Sequence, residues 1–387
     1  MNRTVLCLAL AAMPFFSFAQ KDCRIEGKAN PNSVGGYVYI VHGKQIADSA
    51  KVNKNAEFSF AMKADDKLYV CAAKGERGGL AFVSESGKVE LNLRDMSCKG
   101  GELNKQVSLF SSASDDAWKR YENTAAEIKA KPISEADKEK EQDALYEETV
   151  KGLQQMGEKA MSRLADKEAA GWMLASLSYY YSSEDFFKQY DKLSGEAKNY
   201  QGLQTAYKAF EALRNTSEGK MFTDFTIENG GLKGKKVKFS DYVGKGKYTL
   251  VDFWATWCGP CRKEIPNVKK VYAEYKDKGI QFLSVSIDAK KEAWTKALKE
   301  EQMPWMQGWT PDAGKSVMNT YQFGGIPFII LIDKEGNIYR KNLRGEDIKN
   351  AIDDCLAGKK VAAHRTVIRL PLLRIECVNA VMIRCQS

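Results

Sequence analysis

Residues 251–261 read Val-Asp-Phe-Trp-Ala-Thr-Trp-Cys-Gly-Pro-Cys, and this stretch decides the fold class of the carboxyl-terminal part of the chain. Residues Tyr248 to Ala255 form an apolar run with a single acid in it, which is typical of a buried strand. A helix is predicted to begin at Pro260, because the first helical turn does not need the N–H that proline lacks. The two cysteines therefore lie where a buried strand passes into a helix.

This position predicts redox chemistry for the cysteine pair. Unpaired N–H groups and the positive end of the helix dipole stabilise a thiolate at a helix N-terminus, so Cys258 is predicted to be the exposed nucleophile. The two intervening residues leave Cys261 within disulfide distance of Cys258, where it can attack a mixed disulfide and release the product. Cys261 is thus interpreted as the resolving cysteine.

Asp252 is the single acid in the predicted strand. A carboxyl group held among apolar residues is expected to have a raised pKa, which suits it to accept the proton of Cys261. A strand-end acid that only contacts water is the simpler alternative.

Three other interpretations of the cysteine pair stay open. A structural zinc site needs four ligands, but no second pair with matching spacing follows in the sequence. A peroxidase motif would place proline and serine or threonine where Val251 and Ala255 stand. A permanent structural disulfide fits any cysteine pair outside the cytosol, although the flanking tryptophans favour turnover.

Strand and helix patterns alternate around the cysteine pair. Together they predict an α/β fold for residues 216–359, with a mixed sheet covered by helices on both faces. The predicted elements after the first strand are helix 260–278, strand 280–287, helix 290–301, strands 328–332 and 338–343, and helix 346–356.

The rest of the chain divides by pattern. The length of 387 residues predicts about 2.6 domains. Residues 20–100 show short alternating segments and predict a small β-rich domain, with strands at 37–41, 57–60, 68–70 and 89–93. Residues 101–215 carry helical spacing and predict a helical spacer, whose aromatic clusters 179–181 and 186–187 belong either to a core or to a partner-binding face.

The two ends are set apart from these domains. Residues 1–19 have a positive start, an apolar run and small residues at the cleavage positions, so they are predicted to be a secretory signal peptide. The mature protein is then expected to be soluble in the periplasm. Residues 360–387 are expected to be an unstructured or non-native tail, with a membrane-facing amphipathic tail as the alternative.

Composition limits the partners. The net charge of +9 is a mild bias over this length and predicts no nucleic-acid binding. Six cysteines outside the motif and the signal peptide allow 15 pairings, and the sequence favours none of them. They are Cys23, Cys71, Cys98, Cys355, Cys377 and Cys385.

With these residues in hand, the sequence resembles a known family. The Trp-Cys-Gly-Pro-Cys motif after residues 251–253 resembles thioredoxin. The wider frame is similar to the secreted thiol-disulfide oxidoreductases of the TlpA and ResA type. That frame includes Phe222 to Phe225, Lys263 to Pro266 and Gly324 to Pro327. The likeness covers residues 218–359.

The resemblance implies roles for individual residues. It implies that Cys258 and Cys261 are the redox pair, that Pro327 is a cis-proline facing them, and that Glu264 is an active-site carboxylate. It places Asp252 as the buried carboxylate behind the second cysteine. It further implies substrate contacts from Trp257, Gly259, Pro260, Ile326 and Pro327.

One departure from the family pattern is Ser284, which stands where thioredoxin has a lysine that pairs with the buried acid.

The resemblance also implies an activity without a cofactor or metal. Gly-Pro between the cysteines favours reduction of protein disulfides, with a membrane-bound or periplasmic electron donor and a role in cytochrome c maturation. Disulfide isomerase or oxidase activity, and a partner-binding protein with a regulatory redox module, are the alternatives. The helical spacer could support a dimer.

Overall fold

A computed structural model describes residues 22–76, 78–229, 235–310 and 312–360. The predicted signal peptide and residues 361–387 of the predicted tail lie outside these ranges. Two compact units are present, one reaching to Asp115 and the other beginning at Asp116. The division into independent domains at residues 100 and 215 stays a prediction.

Eight strands form two four-stranded sheets in the first unit. They are β1 Asp22–Lys28, β2 Tyr37–His42, β3 Gln45–Lys51, β4 Glu57–Lys63, β5 Leu68–Ala73, β6 Leu80–Val83, β7 Gly87–Asn92 and β8 Ser97–Lys99. The sheet orders are β4-β1-β7-β8 and β3-β2-β5-β6. In β4, Phe58 and Phe60 are buried between exposed neighbours, as its alternating sequence predicts. The β-rich prediction is confirmed. The unpredicted β3 is exposed along nearly its whole length, so its sequence lacks alternation.

Helices occupy the middle of the chain, which confirms the predicted helical region. They are α1 Glu102–Ala130, α2 Glu135–Ser162, α3 Glu168–Leu177, α4 Ser183–Asp191, α5 Gly195–Asn199 and α6 Gln201–Asn215. Ser134 caps α2 by accepting a hydrogen bond from the Asp137 N–H at 3.2 Å. Of the aromatic clusters, Tyr181 and Phe186 are buried, and the other members are half-buried.

A mixed seven-stranded sheet organises the carboxyl-terminal part, as the sequence predicts. Its elements are β9 Thr226–Asn229, β10 Lys236–Lys238, β11 Tyr248–Trp254, α7 Gly259–Tyr275, β12 Ile280–Ser286, α8 Lys291–Glu301, β13 Met306–Trp309, α9 Lys315–Tyr321, β14 Phe328–Ile332, β15 Ile338–Arg340 and α10 Glu346–Leu356. The strand order is β10-β9-β13-β12-β11-β14-β15. Strand β11 runs parallel to β12 and antiparallel to β14.

Strand β11, which leads to the cysteine pair, lies between β12 and β14 in this sheet. Its register places Asp252 opposite Ser284 on β12 and opposite Ile329 on β14. All its residues after Tyr248 are buried, because strands cover both edges and side chains cover both faces. The end of β11 therefore fixes the position of the loop that carries Cys258.

Some boundaries differ from the sequence prediction. The last strand ends at Arg340 instead of Leu343, because Asn342 adopts a left-handed backbone with φ of 58°. Strands β9, β10 and β13 and helix α9 are short and were not predicted. No helix in the described ranges is both long enough and apolar enough to cross a membrane.

Two helical glycines in the middle of the chain allow a test of how closely α3 packs against α5. The Cβ of an alanine at position 171, in α3, would lie 2.1 Å from the carbonyl oxygen of Ala197, whereas a Cβ at position 152, in α2, meets no atom within 4 Å. We expect Gly171→Ala to lower the free energy of unfolding by about 1–3 kcal/mol. Gly152→Ala is expected to raise it by roughly 0.5–1 kcal/mol, since alanine loses less backbone entropy on folding. Urea unfolding of both variants measures the difference, and equal effects would contradict this packing.

Candidate active site

Cys258 lies at the turn between β11 and α7. It is the N-cap residue of α7, and the Cys261 N–H points at its Sγ atom over 3.1 Å. Pro260 lies in the first turn, where no N–H is needed. The two cysteines form a disulfide, with their Cα atoms 5.3 Å apart. The pair thus has its first sulfur among the free N–H groups of a helix end, where a thiolate is stabilised.

The exposed surface here belongs to the neighbours of the disulfide. Cys258 is 4% exposed and Cys261 2% exposed, whereas Trp257 is 69% exposed. Gly259 and Pro260 are exposed as well. The expectation of an exposed Cys258 is therefore wrong for the disulfide form. The Cys258 sulfur is covered because the segment before β14 lies against it.

That segment contains Ile326 and Pro327. The peptide bond between them is cis, and the carbonyl oxygen of Ile326 lies 3.5 Å from Cys258 Sγ. Gly324 and Gly325, just before it, are exposed. Trp257 and Ile326 therefore border the disulfide from two different loops, and together they offer apolar surface and backbone groups beside the sulfurs.

Asp252 is buried within β11, the strand that leads to the disulfide. Its Oδ2 atom accepts a hydrogen bond from the Ser284 hydroxyl at 3.2 Å, and Oδ1 has no partner among the described residues. Ser284 accepts in turn from Trp305 Nε1 at 2.9 Å. Burial raises the pKa of Asp252 to about 7, against the lowering effects of Ser284 and of the positive charge of Arg344. Near neutral pH this carboxyl group can both take up and release a proton.

Glu264 is hydrogen-bonded to the loop that precedes α10. Its Oε1 atom accepts hydrogen bonds from the Gly345 N–H at 3.0 Å and from the Asn267 side chain at 2.7 Å. Asn267 also donates to the Gly345 carbonyl at 3.1 Å. This loop brings Arg344 to the two carboxylates.

Arg344 is a site residue that sequence reasoning missed. Its charge acts on both Glu264 and Asp252, while burial lowers its own pKa. Thioredoxin supplies a cation from the next strand, where this chain has Ser284. Here the cation comes from the loop after β15. No local pattern marks Arg344, because only the packing of that loop on α7 brings it near Asp252.

The other described cysteines have a different environment. All are buried free thiols: Cys23, Cys71, Cys98 and Cys355. Burial raises the pKa of Cys98 and of Cys355 to about 12, so both stay protonated and unreactive near neutral pH. Cys377 and Cys385 lie outside the described residues. Within the described ranges, no three His, Cys, Asp or Glu side chains come together as a metal site would require.

Comparison with known proteins gives two family matches. Residues 219–341 match the AhpC/TSA family, and residues 23–107 match a domain of unknown function, DUF4369. Among curated proteins, a thiol-disulfide oxidoreductase ResA from Bacillus cereus is 32% identical over 39% of this chain and 84% of its own length.

Solved structures give similar names. The thioredoxin domain of a thiol-disulfide oxidoreductase from Bacteroides vulgatus is 41% identical and covers 36% of this chain and 96% of its own, with a TM-score of 0.33. A thiol:disulfide interchange protein from a Bacteroides species is 39% identical and covers 39% of this chain and 98% of its own, with a TM-score of 0.34.

The raised pKa of Asp252 predicts a pH-dependent stability. Between pH 4 and 7 the folded protein holds a proton on Asp252 that the unfolded chain releases, so the free energy of unfolding falls as the pH rises through this window. Asp252→Asn removes this penalty, and we expect the variant to be more stable than the parent at pH 8 by roughly 2–4 kcal/mol, with little difference at pH 4. Urea unfolding of the oxidised proteins checks this. The exposed Asp277→Asn is the control, and a constant offset across pH would contradict the assignment.

Arg344 is expected to hold the pKa of Asp252 down. Arg344→Gln removes the nearby positive charge, so the pKa of Asp252 should rise by roughly one unit, whereas Arg344→Lys should keep most of the effect. Carboxyl-carbon NMR titration of Asp252 measures both. An unchanged titration in Arg344→Gln would show that the charge does not reach Asp252.

Proposed function

Since the chain belongs to the ResA-type family of thiol-disulfide oxidoreductases, we propose that it reduces protein disulfides in the periplasm through a Cys258/Cys261 dithiol cycle. The observation that carries the proposal is the disulfide at the N-terminus of α7, with a buried acid in the strand that precedes it and a cis-proline segment beside Cys258. The secretory pattern of residues 1–19 supports the location.

The cycle begins with the reduced pair. The Cys258 thiolate attacks one sulfur of a substrate disulfide, a Cys258–substrate disulfide forms, and the other substrate sulfur leaves as a thiolate and takes a proton. The N–H of Cys261, which points at Cys258 Sγ in the disulfide form, is positioned to stabilise the attacking thiolate.

Resolution uses the second cysteine. Asp252 accepts the proton of Cys261, and the Cys261 thiolate attacks Cys258 Sγ. The second substrate sulfur leaves as a thiolate and takes a proton, Asp252 gives up the proton that it accepted, and the Cys258–Cys261 disulfide remains. Two electrons have then passed to the substrate, and an electron donor in the membrane or periplasm must return the pair to its dithiol form. Cytochrome c maturation is a pathway that would use such a reductant.

The surface around the disulfide suits an extended polypeptide. Trp257 offers an exposed apolar face. Gly259 and Pro260 are exposed and small, so they leave room for a polypeptide to approach Cys258. On the other side, Ile326 offers backbone groups next to the sulfur. We infer that a substrate strand lies between Trp257 and the segment before Pro327.

Cysteine variants test the cycle. Cys258→Ser is expected to abolish insulin reduction by the full chain, because no attacking thiolate remains. Cys261→Ser is expected to trap the substrate as a mixed disulfide that is visible on a non-reducing gel. Wild-type turnover by the double serine variant would overturn the proposal. An inert wild-type chain that still binds a protein partner would favour the regulatory binding alternative.

The reduction potential tests the direction of electron flow. We expect a value nearer to about −270 mV, as in thioredoxin, than to about −120 mV, as in the oxidant DsbA. Equilibration of the full chain with dithiothreitol or glutathione buffers measures it. A value close to the upper figure would make the chain an oxidase.

A further inference from the structure

Thr256, two residues before Cys258, forms hydrogen bonds with both Asp288 and Arg262. Its backbone N–H donates to the carboxylate of Asp288, 3.0 Å from Oδ2 and 3.2 Å from Oδ1, and its hydroxyl donates to Oδ1 at 2.7 Å. Its carbonyl oxygen accepts a hydrogen bond from Arg262 Nε at 2.9 Å. Arg262 directly follows Cys261, so this last bond joins the two ends of the segment that holds the cysteine pair.

Both residues that hold Thr256 are themselves anchored. Asp288 is 2% exposed, and its Oδ2 accepts from the Ser286 hydroxyl at 2.8 Å, while its carbonyl accepts from Trp309 Nε1 at 2.7 Å. Arg262 Nη1 lies 3.0 Å from Glu301 Oε1, at the end of α8. Thr256 is therefore tied through Asp288 to the end of β12 and through Arg262 to α8.

We propose that Asp288 and Arg262 are positioning residues, which hold Thr256 so that Cys258 keeps its place at the N-terminus of α7 after the disulfide opens. This inference rests on the proposed dithiol cycle and adds the part of the fold that preserves the site in its reduced form. In this role, Asp288 and Arg262 act through Thr256 and not by contact with the reacting sulfurs.

The reason lies in what reduction removes. In the oxidised protein the disulfide itself ties Cys258 to Cys261, so the turn is held whether or not Thr256 is bonded. In the reduced protein that covalent tie is gone, and the Arg262–Thr256 bond spans the same turn. The Cys261 N–H can stabilise a Cys258 thiolate only while Cys258 stays at the N-cap.

The arrangement thus stabilises the reduced form more than the oxidised form. Its loss should make the reduction potential more negative and raise the pKa of Cys258. It should also lower the free energy of unfolding of the reduced protein more than that of the oxidised protein. A residue that served stability alone would lower both unfolding energies equally and leave the potential unchanged.

Asp288→Asn and Arg262→Lys are the test variants in the full chain. The asparagine keeps the shape of Asp288 but loses one acceptor and the charge. The lysine keeps the charge of Arg262 but lacks the planar fork that reaches Thr256 and Glu301 together. In each, we expect the equilibrium constant for reduction of the Cys258–Cys261 disulfide by dithiothreitol to fall about tenfold, which corresponds to a potential about 30 mV more negative.

The pKa of Cys258, followed by thiolate absorbance during a pH titration, should rise in the same variants. Lys263→Gln is the matched control, because Lys263 is an exposed cation in the same turn of α7 and its side chain makes no hydrogen bond or ion pair among the described residues. It should leave the potential and the pKa of Cys258 unchanged. A shift in Lys263→Gln equal to that in Arg262→Lys would mean that any substitution in this turn of α7 changes the potential, and it would overturn the proposal.

Thr256→Val and Thr256→Ser cover the case in which Asp288→Asn does not fold. Valine removes the hydroxyl bond to Asp288 and should shift the potential in the same direction, whereas serine should behave as the parent. Unchanged potentials in Thr256→Val and Arg262→Lys would overturn the positioning role. The potential and the pKa are measured without any substrate, so a failure of insulin reduction would count against the proposed function alone.

Discussion

The structure depends on the junction between β11 and α7. Strand β11 is paired on both edges, and the helix that follows it begins one residue after Cys258. A buried strand fixes the position of its last residue, and a helix end supplies free N–H groups, so the junction both places the sulfur and stabilises it as a thiolate. The remaining site residues reach the disulfide from elements that pack on this junction.

The neighbours of β11 account for where those residues come from. The register with β12 sets Ser284 beside Asp252, and the loop after β12 carries Asp288 to Thr256. The register with β14 brings the segment before Phe328 to the sulfurs. A shift of one residue in either pairing would turn the side chains of that strand to the opposite face and dismantle the site.

The chain also shows how place decides the chemistry of cysteine. Cys258 and Cys261 lie at a helix N-terminus, directly after the strand that holds a buried carboxyl group whose pKa is near neutral. Cys98 and Cys355 lie in apolar cores, where burial raises the thiol pKa to about 12. The same side chain is the proposed nucleophile in one setting and part of an apolar core in the other, because only the first setting favours the charged form.

The sequence by itself determined the parts of the site that are close together along the chain. An apolar run with one acid, followed by two cysteines at helix-start spacing, identified the strand, the turn, the cysteines that form the disulfide and the buried carboxyl group. Local patterns of this kind follow from backbone geometry within a few residues. The tertiary structure alone decided which distant groups complete the site. Arg344 near Asp252 and Asp288 at Thr256 come from loops whose position depends on sheet order and helix packing, and no local pattern encodes that. The burial of Cys258 against Ile326 was decided in the same way, by a contact between segments 68 residues apart.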